Sequence, residues 1–192
     1  MLLTREQLLV LGVTGLVVFW VVGAHNRLVG LRNDIGAAWS RLSEALAQRS
    51  ATTEPWLAAL REPLAAEASA MDALDALDAL DVLQSTLRES ARATVLMSAR
   101  PMSADHAQAW TAAEAAVSAA ASRVLALLQQ HPALKEGDAV AAGLQGWHEL
   151  SARLGFARQM YNETASSYDE AVSLFPTRLL VRLFRFSKAG RL

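Results

Sequence analysis

The sequence predicts an all-α protein in which an N-terminal transmembrane helix precedes an antiparallel bundle of long helices. Residues 7–24 form an uncharged, mostly apolar run that is just long enough to cross the hydrocarbon core of a bilayer. Beyond it, apolar residues recur every three or four positions, which is the spacing of a helix that buries one face. Only ten glycines and five prolines interrupt the 192 residues, and this composition favours long helices. We therefore predict a short tail at 1–6, a transmembrane helix at 7–24, a helical bundle at 25–176 and a basic tail at 177–192.

The apolar run is predicted to remain in the protein as a single membrane anchor. A cleaved signal peptide is the alternative, since Val22 and Ala24 have the spacing that a signal peptidase reads. The start of the chain argues against cleavage, because Glu6 offsets Arg5 and the apolar core exceeds the usual length of about 7–15 residues. The anchor residues are Leu8, Leu9, Leu11, Leu16, Val17, Phe19, Trp20 and Val21.

Charges on either side of the anchor indicate its orientation. Arg27, Arg32 and Arg41 follow the apolar run, whereas Arg5 and the α-amino group precede it. Because Lys and Arg are enriched on the cytoplasmic side of membrane helices, the pattern favours a single-pass protein with a cytoplasmic bundle. The alternative is that these arginines only solvate a helix face.

The first helix of the bundle is predicted to continue directly from the anchor. No residue between the anchor and the bundle stops a helix, so the two would form one rod of about 40 residues. We expect this rod to end near residues 50–53, a small polar run before Pro55. Its apolar stripe consists of Leu28, Leu31, Ile35, Trp39, Leu42 and Leu46.

A second helix is predicted to begin near Thr53, with Pro55 in its first turn. Pro63 is expected either to kink this helix or to restart it. It contains aspartates at every third position, which rotate by about 60° per step around a helix. These carboxylates therefore do not converge on a metal ion, and the neighbouring leucines drift in the same way. We expect this stretch to pack less regularly or to be partly mobile. The aspartates are Asp72, Asp75, Asp78 and Asp81, and the leucines are Leu74, Leu77 and Leu80.

Two further long helices complete the predicted bundle. The third helix begins after Ser103, which is a good N-cap, and it ends at His131-Pro132. The face of this helix between residues 112 and 121 is nearly all small, so a neighbouring helix can approach closely. The fourth helix is capped by Asp138, keeps an apolar stripe to Phe175 and stops at Pro176. Long helices joined by short turns predict an antiparallel bundle.

The tail at 177–192 is basic and amphipathic. It carries five positive charges and no acid, so residues 1–176 sum to −6 within a chain of net charge −1. Such a segment suits a membrane surface with anionic lipids, and docking of its apolar face on the bundle is the alternative. The residues proposed to contact lipid are Arg178, Arg182, Arg185 and Lys188.

Sequence patterns of catalytic, cofactor and metal sites are lacking. The chain has no cysteine, none of its four histidines has a second ligand at helical spacing, and no phosphate-binding or nucleotide-binding motif occurs. A net charge near zero also argues against nucleic-acid binding, which needs a basic surface. We therefore predict a non-enzymatic protein without cofactors.

Short motifs occur at the two ends of the predicted bundle. Leu31-Arg32-Asn33 and Ala38-Trp39-Ser40 follow the anchor, and Tyr161-Asn162 and Phe175-Pro176 lie near the end of the fourth helix. In their order and spacing, these motifs resemble the LemA family of bacterial membrane proteins. The resemblance implies a helical bundle on one membrane helix at the inner membrane, and it supplies no catalytic residues. Tyr168-Asp169 replaces the family's second Tyr-Asn pair, and the divergent stretch at 45–57 keeps Arg49 and Pro55. The matching positions are Leu28, Leu31, Arg32, Asn33, Trp39, Tyr161, Asn162, Phe175 and Pro176.

Two functional hypotheses remain open at this stage. The first is a scaffold that self-assembles side by side in the membrane as a homo-oligomer, for which the long rod and the small-residue face of the third helix are suited. The second is a monomeric adaptor that binds a protein or peptide. In both, the lipid bilayer is a partner of the anchor.

Overall fold

The computed structural model describes residues 4–66, 71–174, 177–178 and 186–192. Its helices are α1 (Arg5–Ala66), α2 (Met71–Ala99), α3 (Ala104–Gln130) and α4 (Asp138–Ser173), with a short 3-10 helix at Pro132–Glu136. Helix α1 packs against α2 and α4, and α2 packs against α3, whereas the backbones of α3 and α4 hardly approach each other. The predicted all-α fold, an apolar N-terminal helix followed by a helical bundle, is confirmed.

Helix α1 is one rod of 62 residues, about 90 Å long. The predicted break near residues 50–53 is wrong, because the helix continues through Pro55 and Pro63. Both prolines lie on its exposed face, where water can hydrogen bond to the carbonyl groups that lack a donor. On the opposite face Trp56, Leu57 and Leu60 are buried. Leu64, beside Pro63, is buried as well. Burial of these four side chains contributes about 1.5–3 kcal/mol each, which offsets the cost of about 3 kcal/mol for each of the two prolines.

Trp39 of α1 joins the helices at the level where the bundle begins. Its Nε1 donates a hydrogen bond of 2.9 Å to Ser98 Oγ on α2. Its ring makes edge contacts with Trp110 of α3 at 5.7 Å and with Tyr161 of α4 at 6.2 Å between centroids. One side chain of α1 thus touches all three other helices.

The core divides into two apolar clusters along the rod. The cluster nearer the anchor surrounds Trp39, and the cluster farther from it surrounds Trp56, whose ring stacks on Trp147 at 6.0 Å. Large buried members of the first are Leu28, Ile35, Leu42, Trp110, Tyr161 and Tyr168. Those of the second are Leu60, Leu80, Leu83, Val117, Val124 and Leu128.

The aspartate-rich part of α2 packs regularly, contrary to the prediction. Its buried face is formed by Ala73, Ala76 and Ala79, followed by Leu80 and Leu83. The alanines fall at helical spacing toward the core, so the leucines need not, and Leu74 is exposed. The three aspartates whose side chains are described are exposed, and two reach arginines on neighbouring helices: Asp78 pairs with Arg123, and Asp81 pairs with Arg61.

The predicted ends of the last two helices are close to those observed. Ser103 caps α3 by accepting a hydrogen bond from the His106 backbone N–H, as predicted. The cap of α4 is Gly137, one residue before the predicted Asp138. Helix α4 ends at Ser173, and the predicted stop at Phe175-Pro176 lies outside the described residues.

Candidate functional site

The anchor is the most apolar exposed surface of the described chain. Eight of the residues between Leu8 and Phe19 are more than half exposed, and an apolar surface of this extent is typical of a membrane or protein interaction site. Helix α3 also meets the length and hydropathy criteria of a membrane span. However, α3 buries seven residues, including Trp110, Val117 and Val124, within the bundle. The apolar N-terminal part of α1 is therefore the candidate membrane span, and α3 is a core helix.

The end of α4 returns to the base of the anchor. Thr177 and Ala171 share a surface hollow with Trp20 and Gly23 of α1, and the Phe186 ring lies 6.0 Å from the His25 ring. Because α1 and α4 are antiparallel, the basic tail begins beside the predicted membrane surface.

The last residues of the tail dock on the bundle. The backbone N–H of Leu192 donates to Asn162 Oδ1 at 2.9 Å, and Asn162 Nδ2 donates to the Leu192 carbonyl at 2.7 Å. Asp169 accepts from the Ala189 N–H at 2.9 Å and pairs with Arg191. Tyr161 Oη lies 2.5 Å from the Pro101 carbonyl and 3.1 Å from that of Gly190. We call Tyr161, Asn162 and Asp169 the tail clamp.

The structure describes two of the four tail residues that are proposed to contact lipid. Residues 189, 190 and 192 are buried against the bundle, and Phe186 packs against the core, whereas the other apolar residues of the tail, on which the docking alternative depends, lie outside the described residues. Arg178 and Lys188 are exposed, while Arg182 and Arg185 lie outside the described residues. Lipid contact by these side chains stays a prediction.

A second feature is a buried ion pair at an open groove between α3 and α4. Arg49 of α1 is 5% exposed, and its Nη1 and Nη2 donate to the two carboxylate oxygens of Glu114 at 2.8 and 2.7 Å. Glu114 also accepts from Ser90 Oγ. The Arg49 guanidinium lies 5.7 Å from the Trp147 ring centroid, so both charges are compensated inside the bundle.

Sequence reasoning missed this ion pair, although a signal for it was available. The α1 stripe that passes through Trp39 and Leu46 extends with unbroken spacing of three and four through Arg49, Thr53 and Trp56. The spacing predicts that all of these positions face the core. Because Arg49 and Thr53 are polar, a stripe defined by apolar residues alone ends at Leu46.

Comparison with known protein families assigns the chain. The model of the LemA family matches residues 38–192. The chain belongs to the LemA family. Neither curated proteins nor solved structures gave a match. LemA is not a known enzyme family. Among the described residues of this LemA protein, no group of three or more His, Asp or Glu side chains could hold a metal.

The LemA motif positions fall into three structural groups. Leu28 and Trp39 are buried in the core, and Leu31 packs against it. Tyr161 and Asn162 belong to the tail clamp, where Asp169 of the divergent Tyr168-Asp169 pair also accepts hydrogen bonds. Arg32 and Asn33 line a surface hollow with Arg100 and Ser187. The motif positions Phe175 and Pro176 lie outside the described residues.

Deprotonation of buried tyrosines is expected to destabilise this LemA protein at high pH. Burial, aided by the charge of Asp169, raises the pKa of Tyr161 to about 12, and burial also raises the pKa of Tyr168. Unfolded tyrosine titrates near pH 10. The contribution of Tyr161 to the free energy of unfolding is therefore complete below about pH 10 and is lost as the pH rises to about 12.

Denaturant unfolding of the full chain in detergent, measured between pH 8 and 12, checks this expectation. The loss due to Tyr161 should reach about 2–3 kcal/mol. The chain has two tyrosines. In Tyr161→Phe the free energy of unfolding should therefore fall less steeply with pH, and the decline that remains should come from Tyr168. An unchanged slope in Tyr161→Phe would contradict the assignment.

Proposed function

We propose that this LemA protein is a non-enzymatic membrane scaffold whose copies associate side by side in the plane of the bilayer. The observation that supports the proposal is the position of two exposed apolar pairs on the bundle. Val95 and Leu96 on α2 are 69% and 53% exposed, and Phe156 and Met160 on α4 are 65% and 37% exposed. We call them the α2 pair and the α4 pair.

The two pairs lie at the same height along α1. Ser98 of α2 bonds to Trp39, so in an antiparallel arrangement the α2 pair is level with about residues 41–42 of α1. Arg153 of α4 bonds to Gln48, so the α4 pair is level with about residues 41–45. Both pairs therefore stand about 25 Å beyond the end of the predicted membrane span.

Equal height makes the pairs suitable for contact between copies of the protein. Every copy inserts into the bilayer in one orientation. The α2 pair of one copy therefore lies at the same distance from the membrane as the α4 pair of the next copy, and the two pairs can come into contact. A contact between two different surfaces is heterologous, and its repetition produces a closed ring or an extended row. Anchoring also fixes the orientation of each copy in advance, which lowers the entropic cost of association.

Complementary surface variants test the proposal. The full chain in mild detergent is expected to form particles of several subunits, measured by light scattering and negative-stain electron microscopy. Val95→Lys/Leu96→Lys and Phe156→Lys/Met160→Lys should each give monomers, since each removes one half of the contact. An equimolar mixture of the two variants should give dimers only, because one intact α2 pair and one intact α4 pair remain to combine.

A matched control is available on α2. Leu74 and Val82 are also exposed apolar residues, 51% and 37% exposed, but they lie farther from the anchor. Leu74→Lys/Val82→Lys should assemble like the unmodified protein. A monomeric unmodified protein at all concentrations would refute the scaffold. Dimers formed by either blocked variant alone would refute the heterologous contact.

A further inference from the structure

A small surface hollow lies between α1 and the end of α4, at the base of the anchor. Its volume is about 270 Å³, and we call it the anchor hollow. Trp20, Gly23, Ala24 and Arg27 of α1 line one side of it, and Ala171 and Thr177 line the other. The hollow is therefore shared by two segments that are distant in the sequence and meet beside the predicted membrane surface.

In the membrane placement on which the proposed function rests, the anchor hollow crosses the boundary between the hydrocarbon core and the headgroups. The predicted span ends at Ala24, which lines the hollow. Trp20 lies four residues before this end, about 6 Å inside the core, and Arg27 lies three residues beyond it, about 4–5 Å outside. The headgroup layer occupies about 5–8 Å on each side of the core. One hollow thus reaches both the acyl chains and the phosphate groups of the adjacent leaflet.

The lining of the anchor hollow changes from apolar to polar across this boundary. Trp20, Gly23 and Ala24 are on the membrane side, where tryptophan is a typical interface residue. A Cβ at Gly23 would meet no atom within 4 Å, so this position leaves space beside α1 for a ligand. Arg27 and Thr177 supply polar groups to the same hollow. This division matches a phospholipid, in which acyl chains and phosphate meet at the same boundary.

The positive charge of Arg27 has no carboxylate to balance it. Arg27 is exposed, and within the described chain it takes part in no ion pair. The next acid along α1, Asp34, lies about 10 Å farther from the membrane, and Glu170 of α4 does not line the hollow. Arg178, which follows Thr177, is exposed as well. Because the arginine fork binds phosphate oxygens through two donors, these charges favour an anionic headgroup.

We propose that the anchor hollow binds one phospholipid with an anionic headgroup, whose phosphate accepts hydrogen bonds from Arg27 and Thr177 and whose acyl chain packs on Trp20 and Gly23. The bound lipid connects the end of α4 to the anchor, because the two sides of the hollow belong to different segments. This site differs from the predicted surface contact of the basic tail, since it holds a single lipid at fixed residues. It depends on the membrane anchor of the proposed function but not on self-assembly.

Native mass spectrometry of the full chain in a neutral detergent tests the proposal. Dioleoylphosphatidylglycerol and dioleoylphosphatidylcholine are titrated separately, since they share acyl chains and a phosphate but differ in net charge. The first phosphatidylglycerol is expected to bind at least about tenfold more tightly than phosphatidylcholine, and equal affinity would overturn the proposal. Each mass gives the numbers of subunits and of bound lipids separately, so failure of assembly is distinguishable from failure of lipid binding.

A matched pair of arginine variants locates the headgroup. Arg27 and Arg32 are both exposed residues of α1, but they lie about 140° apart around the helix, and only Arg27 lines the anchor hollow. Arg27→Gln should reduce the preference for phosphatidylglycerol to about threefold or less, and Arg32→Gln should leave it unchanged. Equal effects of the two substitutions would overturn the proposal, in favour of a general attraction between anionic lipids and a basic surface.

A matched pair of glycine variants locates the acyl chain. A Cβ at Gly12 or at Gly23 would meet no atom within 4 Å, so α1 should accept leucine at either position. Gly23→Leu fills the anchor hollow and should weaken binding of phosphatidylglycerol by tenfold or more, whereas Gly12→Leu, deeper in the anchor, should leave it unchanged. Equal effects at the two glycines would contradict the proposal. Displacement of phosphatidylglycerol by millimolar inorganic phosphate would also contradict it, in favour of a small soluble phosphate.

Discussion

Replacing Glu114 by alanine is expected to lower the free energy of unfolding by about 3–5 kcal/mol. The side chains of Arg49 and Glu114 are 6% and 13% exposed, so the substitution leaves a buried guanidinium without its counter-charge. It also removes the acceptor of the Ser90 hydroxyl. The loss should appear as a lower denaturant midpoint for the full chain in detergent.

A second glutamate–arginine pair provides the control. Glu89 and Arg92 on α2 form an ion pair whose side chains are 62% and 74% exposed. Because exposed pairs contribute about 0–1 kcal/mol, Glu89→Ala should change stability little. If Glu114→Ala cost no more than Glu89→Ala, the buried pair would not hold the bundle together as described.

Replacing both partners distinguishes loss of the pair from exposure of one charge. Arg49→Met/Glu114→Leu removes both charges and retains apolar volume. We expect this double variant to recover most of the stability lost in Glu114→Ala, since buried ion pairs often add little beyond an apolar pair. Failure to recover would mean that the hydrogen bonds to Glu114 carry the effect.

The number and order of the helices could be predicted from the sequence because they depend on local patterns. Apolar spacing placed Trp39 in the core, and Ser103 and His131-Pro132 marked the ends of α3. The continuity of α1 could not be predicted, because a proline such as Pro55 predicts a helix start from local geometry alone. Burial of Trp56 on the opposite face outweighs this local preference, and burial depends on the other helices.

The candidate sites were less predictable because they depend on contacts between distant parts of the chain. Asn162 was singled out only by resemblance to the family, and its contact with Leu192 spans 30 residues. Asp169 was a departure from the motif, yet it binds the tail as well. The small-residue face of α3 was expected to receive a neighbouring helix. Part of α3 does pack on α2. The side of α3 that carries Ala115 and Ser118 is not covered by another helix of the described chain.

Replacing Gly143 by alanine is expected to destabilise the bundle by up to about 2 kcal/mol, although alanine favours helices. A Cβ at this position of α4 would lie 2.6 Å from the Trp56 Cβ and still closer to two atoms of the Trp56 ring, so the atoms would clash. Overpacking of this kind costs about 1–3 kcal/mol, and the gain in helix propensity is at most about 1 kcal/mol. The Trp56 side chain is buried and stacks on Trp147 of α4, so it cannot move away freely.

Gly155 on the same helix gives the opposite expectation. A Cβ at Gly155 would meet no atom within 4 Å, so Gly155→Ala should raise the free energy of unfolding by up to about 1 kcal/mol. Trp56→Leu removes the ring and should cost less in the Gly143→Ala background than alone, which a double-mutant cycle measures. Additive effects of Trp56→Leu and Gly143→Ala would show that the two residues do not meet. Coupling between them would show that the close approach of α1 and α4 depends on the absence of a side chain at Gly143.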